Sequence, residues 1–406
     1  MWEQIRSNQL RSTILVAVLG ALLLLLGYFL GLYFFDSGPG GLVIAIIVYA
    51  LMNLIAFAQG DSILLAMSGA RKISPDDHPR LYNVVEEMKI ASGLPKMPDI
   101  YIIDDTALNA FATGRDSNRA SVAITSGLLA KLNRDELQGV IAHEMSHIKN
   151  RDVQLMVLAS VLLGSIVIIA WYASRVFLFS GMSGGGGRRR SSSSEGNPIA
   201  LIAVAATIIL VILAPIIAQL IYFAISRKRE YLADASSALY TRYPAGLASA
   251  LEKLATSDTH VKSANQATAP MYTIDPFHRP AASVNDLMST HPPIAERVRI
   301  LRSMGGASYV DYEKAYQQVR KTGSLIPASA MSGAGTVSLR APATEGAPVT
   351  DTKERVERHR ETADLMWRLS NYKAITCSNC GTKVRLPPTF RQSSVRCPHC
   401  GQVNPV

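Results

Sequence analysis

His143-Glu144-Met145-Ser146-His147 is the stretch best equipped for chemistry. Two histidines at i and i+4 of a helix project from one face, close enough to share a metal ion. The glutamate after the first histidine lies beside the pair and can take a proton from an attacking water. A pair of ordinary surface histidines is the plainer alternative. With 8 histidines in 406 residues, however, the five-residue pattern rarely arises by chance. A catalytic zinc takes three protein ligands and keeps one position open. The third ligand must come from elsewhere, and Glu230, in Ser226-Arg227-Lys228-Arg229-Glu230-Tyr231-Leu232-Ala233-Asp234, is the best candidate. Asp234, one helical turn on, would accept the other ring N–H of a ligating histidine. Taken alone, this basic stretch reads as a juxtamembrane helix with solvated charges.

A second metal pattern ends the chain. All four cysteines follow residue 376, in Cys377-Ser378-Asn379-Cys380-Gly381 and Cys397-Pro398-His399-Cys400-Gly401. Two Cys-x-x-Cys knuckles at this separation make a zinc ribbon, closed by four thiolates and therefore structural. A redox dithiol is the alternative. His399 is not needed as a ligand. The rest of the chain has no cysteine, which excludes a disulfide framework.

Two further segments have open readings. Asn109-Ala110-Phe111-Ala112 lies between strand-like stretches 100–103 and 120–125. It is either an edge strand that pairs with an extended peptide or an ordinary core hairpin. His291, in Ser289-Thr290-His291-Pro292-Pro293, is either a donor to a developing oxyanion or part of a helix-start motif with both prolines in the first turn.

These residues need elements to hold them. Hydrophobic residues make up 48% of the chain and charged residues 18%. The apolar excess falls in four runs, 12–35, 41–59, 154–180 and 198–226, the last holding Pro215 as an expected kink. Runs of this length suit a hydrocarbon core about 30 Å thick. The first run reads as a retained anchor and residues 36–40 as a tight turn. Buried helices of a soluble core are the alternative for runs three and four. Arg6 and Arg11 precede the first run, which puts the N-terminus in the cytoplasm, although Arg188, Arg189 and Arg190 then fall on the far side. If runs three and four form a hairpin, its open ends bring the histidine helix and Glu230 to one membrane face. The net charge of +10 fits basic cytoplasmic loops better than nucleic-acid binding. Asn133 with Glu136 forms a helix-capping signature, and Leu137, Val140, Ile141 and Ile148 give an apolar stripe that includes Glu144. A buried carboxylate is costly unless it is paired or employed.

Taken together, His143 to His147, Ser226 to Asp234, Asn109 to Gly114 and Ser289 to Pro293, in this order among four apolar runs, resemble the HtpX family of membrane-bound zinc endopeptidases over about residues 1–303. The resemblance implies a minimal zincin fold with Glu230 as third ligand and Glu144 as general base. It also implies a cytoplasm-facing site in the cell (inner) membrane and a role in membrane-protein quality control. The expected architecture is mainly α: four transmembrane or membrane-associated helices, a cytoplasmic α+β zincin domain and a C-terminal ribbon. Its units are a hairpin at 1–60, zincin parts at 61–153 and 227–323, a second hairpin at 154–226, a disordered linker at 324–351, a short helix at 352–376 and the ribbon at 377–406. Two zinc ions are expected, one catalytic and one structural. The expected partners are the lipid bilayer and polypeptide substrates, membrane proteins foremost, with nucleic acid not expected and the ribbon's partner open. The competing function is a membrane-tethered adaptor whose ribbon, flanked by Lys373, Lys383, Arg385, Arg391 and Arg396, binds protein or nucleic acid. A transporter fits poorly, because the apolar runs carry almost no ionisable residue.

Overall fold

The computed structural model describes residues 2–114, 116–182, 198–264, 272–274, 291–321, 324–326, 328–331, 337–342 and 351–406. The arginine loop 184–191 and Ser289-Thr290 lie outside them. In chain order the first elements are α1 (Trp2–Phe35), α2 (Gly38–Met67), β1 (Ala70–Lys72), α3 (Pro79–Ser92), β2 (Asp99–Ile103), β3 (Ala110–Gly114), β4 (Ala120–Thr125), α4 (Ser126–Lys131) and α5 (Arg134–Lys149). Then come α6 (Asp152–Met182), α7 (Pro198–Thr241), α8 (Pro244–Ala255), α9 (Ile294–Arg302), α10 (Tyr309–Arg320), α11 (Ala328–Met331) and α12 (Asp351–Leu369). The chain closes with β5 (Lys373–Thr376), β6 (Lys383–Leu386), β7 (Ser394–Arg396) and β8 (Val403–Pro405).

The four apolar runs become α1, α2, α6 and α7, which pack together around Leu19, Leu23, Leu162, Ile166, Ala214 and Ala218. Two windows, Val16–Phe35 and Gly38–Ile55, are long and apolar enough to cross a membrane. The apolar stretches of α6 and α7, Val161–Arg175 and Val204–Leu220, are shorter. The first turn is tighter than expected. The Ser37 side chain caps α2 by accepting from the Gly40 N–H, and Pro39 sits in that helix's first turn. Helix α7 continues through Pro215 and runs 44 residues, well past the apolar run. Glu230 and Asp234 therefore ride on the same helix as the fourth run.

Beneath this bundle lies a four-stranded sheet in the order β1-β2-β4-β3. Strands β2 and β4 are parallel, and β3 pairs β4 antiparallel with Phe111 opposite Ala123. The Asn109 segment thus leads into a core hairpin: β3 is the last strand of its sheet, but it is buried along its whole length and not the exposed edge that the peptide-pairing reading expects. Helix α5 packs below, with Leu137, Val140, Ile141, Met145 and Ile148 in the core. Its start is the expected capping box, Asn133 Oδ1 accepting from Glu136 N–H at 2.9 Å and Glu136 Oε2 from Asn133 N–H at 2.8 Å. Gly139 lets α8 approach closely, since a Cβ there would lie 2.6 Å from Leu247 N.

The tail departs from expectation in one place. Within the segment read as a disordered linker, residues 328–331 form the short α11 and residues 337–342 dock on the core. Arg340 donates to Asp135 Oδ1 at 2.6 Å, Gln138 Oε1 at 2.7 Å and the Thr241 carbonyl at 2.8 Å. One arginine supplies most of this anchor, so the surrounding low-complexity composition hides it. Helix α12 buries Leu365 in the main core, and its end is tied down by Arg71 donating to the Leu369 carbonyl at 2.7 Å.

Candidate functional site

Helices α5 and α7 cross where Ser237 Oγ donates to the Gly139 carbonyl at 2.8 Å. This crossing sets His143 and His147 against Glu230. The Nε2 atoms of the two histidines are 3.2 Å apart. Glu230 Oε2 lies 3.3 Å from His143 Nε2, and Oε1 lies 3.5 Å from His147 Nε2. The three sequence-predicted ligands therefore converge within 4.8 Å of one another.

Their outer atoms are held by carboxylates. His143 Nδ1 faces Asp234 Oδ1 at 3.0 Å, as the sequence predicts. His147 Nδ1 faces Asp152 Oδ2 at 3.2 Å. Asp152 can reach back because the chain turns sharply between α5 and α6: Arg151 adopts φ +58°, in the left-handed region. With each Nδ1 proton directed to a carboxylate, both Nε2 atoms present lone pairs. Two lone pairs and a carboxylate pointing at one small space repel unless a cation or proton sits between them. That donor set, two imidazoles and one carboxylate, fits a catalytic divalent zinc with an open position.

Burial sharpens the electrostatics. It works against a charged His143 ring, but the bonds to Asp234 and Glu230 outweigh it and raise the metal-free pKa to about 9. Burial would also raise the Glu230 carboxyl, yet the surrounding histidines, His291 foremost, hold it well below the usual carboxylate range. Asp234 likewise resists the effect of burial and is lowered, chiefly by Arg297.

Glu144 is 1% exposed on the inner face of α5. Its Oε1 accepts from Thr273 Oγ1 at 2.7 Å. His291 is buried at the same centre, its Nε2 4.0 Å from Glu230 Oε2. The helix after it starts at Ile294, so Pro292 and Pro293 precede the first turn instead of forming it. Asn109 to Ala112 are all buried along β3 above the helix that carries Glu144.

Three participants escape a sequence reading. Arg297 is fully buried and grips Asp234 with two bonds, Nε to Oδ2 at 2.8 Å and Nη2 to Oδ1 at 2.7 Å. Its Nη1 lies 3.4 Å from Glu230 Oε2. Asp152 and Thr273 are the others. The only sequence signal for Arg297 is an arginine on the otherwise apolar face Val298, Ile300 and Leu301 of a helix that follows His291.

The cysteines assemble as expected. Cys377, Cys380, Cys397 and Cys400 bring four Sγ atoms together, with Cys377–Cys400 at 3.5 Å and Cys380–Cys397 at 3.6 Å. Each knuckle closes through a glycine N–H, Gly381 to the Cys377 carbonyl and Gly401 to the Cys397 carbonyl. Both glycines have positive φ, +70° and +77°.

The chain is similar to known proteins over most of its length. Residues 75–305 match peptidase family M48. A "Protease HtpX homolog" from Dictyoglomus turgidum is 45% identical over 304 residues, covering 75% of this chain and 95% of the relative. The protein of the same description from Streptococcus pneumoniae (strain Hungary19A-6) is 42% identical, covering 75% of this chain and all of the relative. The crystal structure of S. mikatae Ste24p aligns with a TM-score of 0.39 at 20% identity, over 73% of this chain and 66% of that one. With the paired histidines, the convergent glutamate and the buried Glu144 on the matched residues, the chain belongs to peptidase family M48 and is an HtpX-type metalloprotease.

Proposed function

We propose that this protein is a membrane-anchored zinc endopeptidase that hydrolyses peptide bonds of misfolded membrane proteins at the cytoplasmic face of the cell membrane. The observation that carries the catalytic reading is the convergence of His143, His147 and Glu230 beside a buried carboxylate, Glu144. A zinc ion held by those three residues would supply Lewis acidity to the water and to the scissile carbonyl. Glu144 takes the proton of the attacking water and returns it to the leaving amine. Asp234 and Asp152 keep both histidines in the tautomer that points Nε2 inward. His291 donates to the oxygen that gains charge as the carbonyl is attacked. The outer edge of β3, from Asn109 to Ala112, receives the substrate as an extended strand. Cys377, Cys380, Cys397 and Cys400 hold a second, structural zinc.

Several features support the membrane setting. Ile47, Leu54 and Ile212 are each more than half exposed on the outer faces of α2 and α7, which suits lipid better than water. Helices α1 and α2 span the bilayer, while α6 and α7 enter it. Helix α5 and the Glu230 end of α7 then lie on one side of the bilayer, the cytoplasmic side in this reading, with the site between them.

Cleavage of an unfolded membrane-protein substrate in detergent, with zinc counted, tests the reading. Wild type should cleave. Glu144→Gln should keep about two zinc ions and lose activity by about 10²–10⁴-fold, the usual contribution of a positioned general base. A Glu144→Gln protein that cleaves normally would rule Glu144 out as the base. Wild type that is zinc-loaded and inert would favour the ribbon-adaptor role.

A further inference from the structure

Strand β3 is the terminal strand of its sheet, yet part of its outer edge is taken. Phe111 forms an antiparallel bridge with Tyr272. The Thr273 N–H donates to the Ala110 carbonyl at 2.8 Å. The Asn109 side chain clamps the next residue, Nδ2 donating to the Ile274 carbonyl at 3.0 Å and Oδ1 accepting from the Ile274 N–H at 3.4 Å. The Thr273 carbonyl accepts from Arg297 Nη1 at 3.2 Å. The Tyr272 ring stands edge-on to Phe111, with centroids 5.1 Å apart. All three residues are buried.

This short segment therefore does what an extended substrate added to a sheet edge would do. It runs antiparallel, pairs its main chain with the edge strand and offers its side chains to fixed partners. It also reaches the catalytic carboxylate. The Thr273 hydroxyl has one proton to donate, and Glu144 Oε1, at 2.7 Å, is its nearest charged acceptor. While Oε1 accepts from Thr273, that lone pair is engaged and turned away from an attacking water.

We infer that Tyr272, Thr273 and Ile274 are an internal pseudosubstrate, seated on the β3 edge and quieting Glu144, which a substrate polypeptide must displace before cleavage. The inference rests on the reading that this edge receives the substrate. It gives the enzyme a threshold. Only a chain that is already extended and supplies more pairing than three residues can compete for the seat. That selects unfolded polypeptide over folded protein without any sequence motif.

The test uses full-length protein in detergent and a fluorescein-labelled peptide with the sequence of residues 270–276. Binding is measured by anisotropy in a Glu144→Gln background, where Gln still offers an acceptor and cleavage does not interfere. Thr273→Pro removes the N–H that pairs with Ala110. If the segment is seated nine-tenths of the time, this variant binds the peptide about tenfold more tightly. Thr273→Val keeps the N–H and the strand-favouring shape but lacks the hydroxyl. With Glu144 restored, it should cleave an unfolded substrate faster than wild type at limiting substrate, through a lower KM with kcat unchanged, because the segment has left Glu144 once substrate is seated. Unchanged peptide affinity in Thr273→Pro would overturn the inference. So would a fall in kcat in Thr273→Val with KM unchanged, because Thr273 would then be orienting the base instead of quieting it. If nothing is cleaved by any Glu144-bearing protein while Thr273→Pro still gains peptide affinity, the protease reading fails and the seated segment stands.

Discussion

Asp234→Asn removes one charge and one acceptor at the most connected carboxylate of the site. Both Asp234 oxygens are in use. Oδ1 meets His143 Nδ1 and Arg297 Nη2, and Oδ2 meets Arg297 Nε. Every partner is a donor, so whichever way the new amide turns, its NH2 faces an N–H. If it faces His143, the ring loses the bond that fixes its tautomer. Losses of this kind lower metal affinity about 10–100-fold, or roughly 1.4–2.7 kcal/mol. The change also takes from Arg297, which is 0% exposed, its doubly bonded counter-charge and leaves only Glu230 Oε2, 3.4 Å from Nη1. Breaking one side of a buried ion pair costs about 3–5 kcal/mol. The two effects separate by assay. Chelator competition reads the zinc affinity, and thermal unfolding of metal-free protein in detergent reads the stability. The double variant Asp234→Asn, Arg297→Met removes both charges and should recover part of the stability loss while the affinity loss persists. Asp234→Asn protein with wild-type zinc affinity would refute the positioning role. Purely additive stability losses in the double variant would refute the ion-pair reasoning.

Other consequences can be checked separately. The raised pKa of metal-free His143 means that its protonated form stabilises the fold fully below its ordinary value of 6.5, and that this stabilisation is lost as pH rises through about 9. Melting temperatures of chelated protein should therefore fall across that window, and saturating zinc should abolish the trend. Gly139→Ala puts a methyl against the Leu247 backbone, where neither helix can yield cheaply, and should cost about 1–3 kcal/mol by denaturant titration. Cys397→Ser should lower the zinc content by one ion per chain. It should also expose the ribbon, β5 to β8, to protease while the part of the chain before residue 351 stays resistant; metal content and limited proteolysis read both.

What the sequence made legible was local or strictly periodic. Two histidines four residues apart on one helix, a capping box three residues wide and paired Cys-x-x-Cys knuckles each fix their geometry within one turn. Glu230 needed one further step, the pairing of the third and fourth apolar runs as a hairpin, and the continuous α7 carries it to the histidines of α5. Asp152 stayed hidden because only the left-handed backbone at Arg151 turns it back to His147. Arg297 stayed hidden because arginine is ordinarily a surface residue, and its burial depends on Asp234 from another helix. Thr273 had no signal at all, since its role exists only through pairing with a strand far away in sequence. The docked residues 337–342 show the same limit: composition described the segment and missed Arg340, the side chain that supplies most of its anchor.

The missed residues are also the ones that balance charge. Among the described residues, the site buries the carboxylates of Glu144, Glu230, Asp234 and Asp152 with the guanidinium groups of Arg229 and Arg297. With the histidines neutral, as ligands must be, the carboxylates exceed the guanidinium groups by two charges. Each unbalanced buried charge is costly in a poorly solvated interior. A divalent cation between His143, His147 and Glu230 cancels the excess without disturbing any of the carboxylate bonds to the outer nitrogens. The metal-free protein has a poorer remedy, a proton held on His143 between Asp234 and Glu230, and the raised pKa of that ring is its mark. Neutrality therefore argues for a dication on grounds separate from ligand geometry. It also explains why an arginine belongs beside a metal centre: Arg297 lets Asp234 remain ionised and hold His143 without adding a third uncompensated charge.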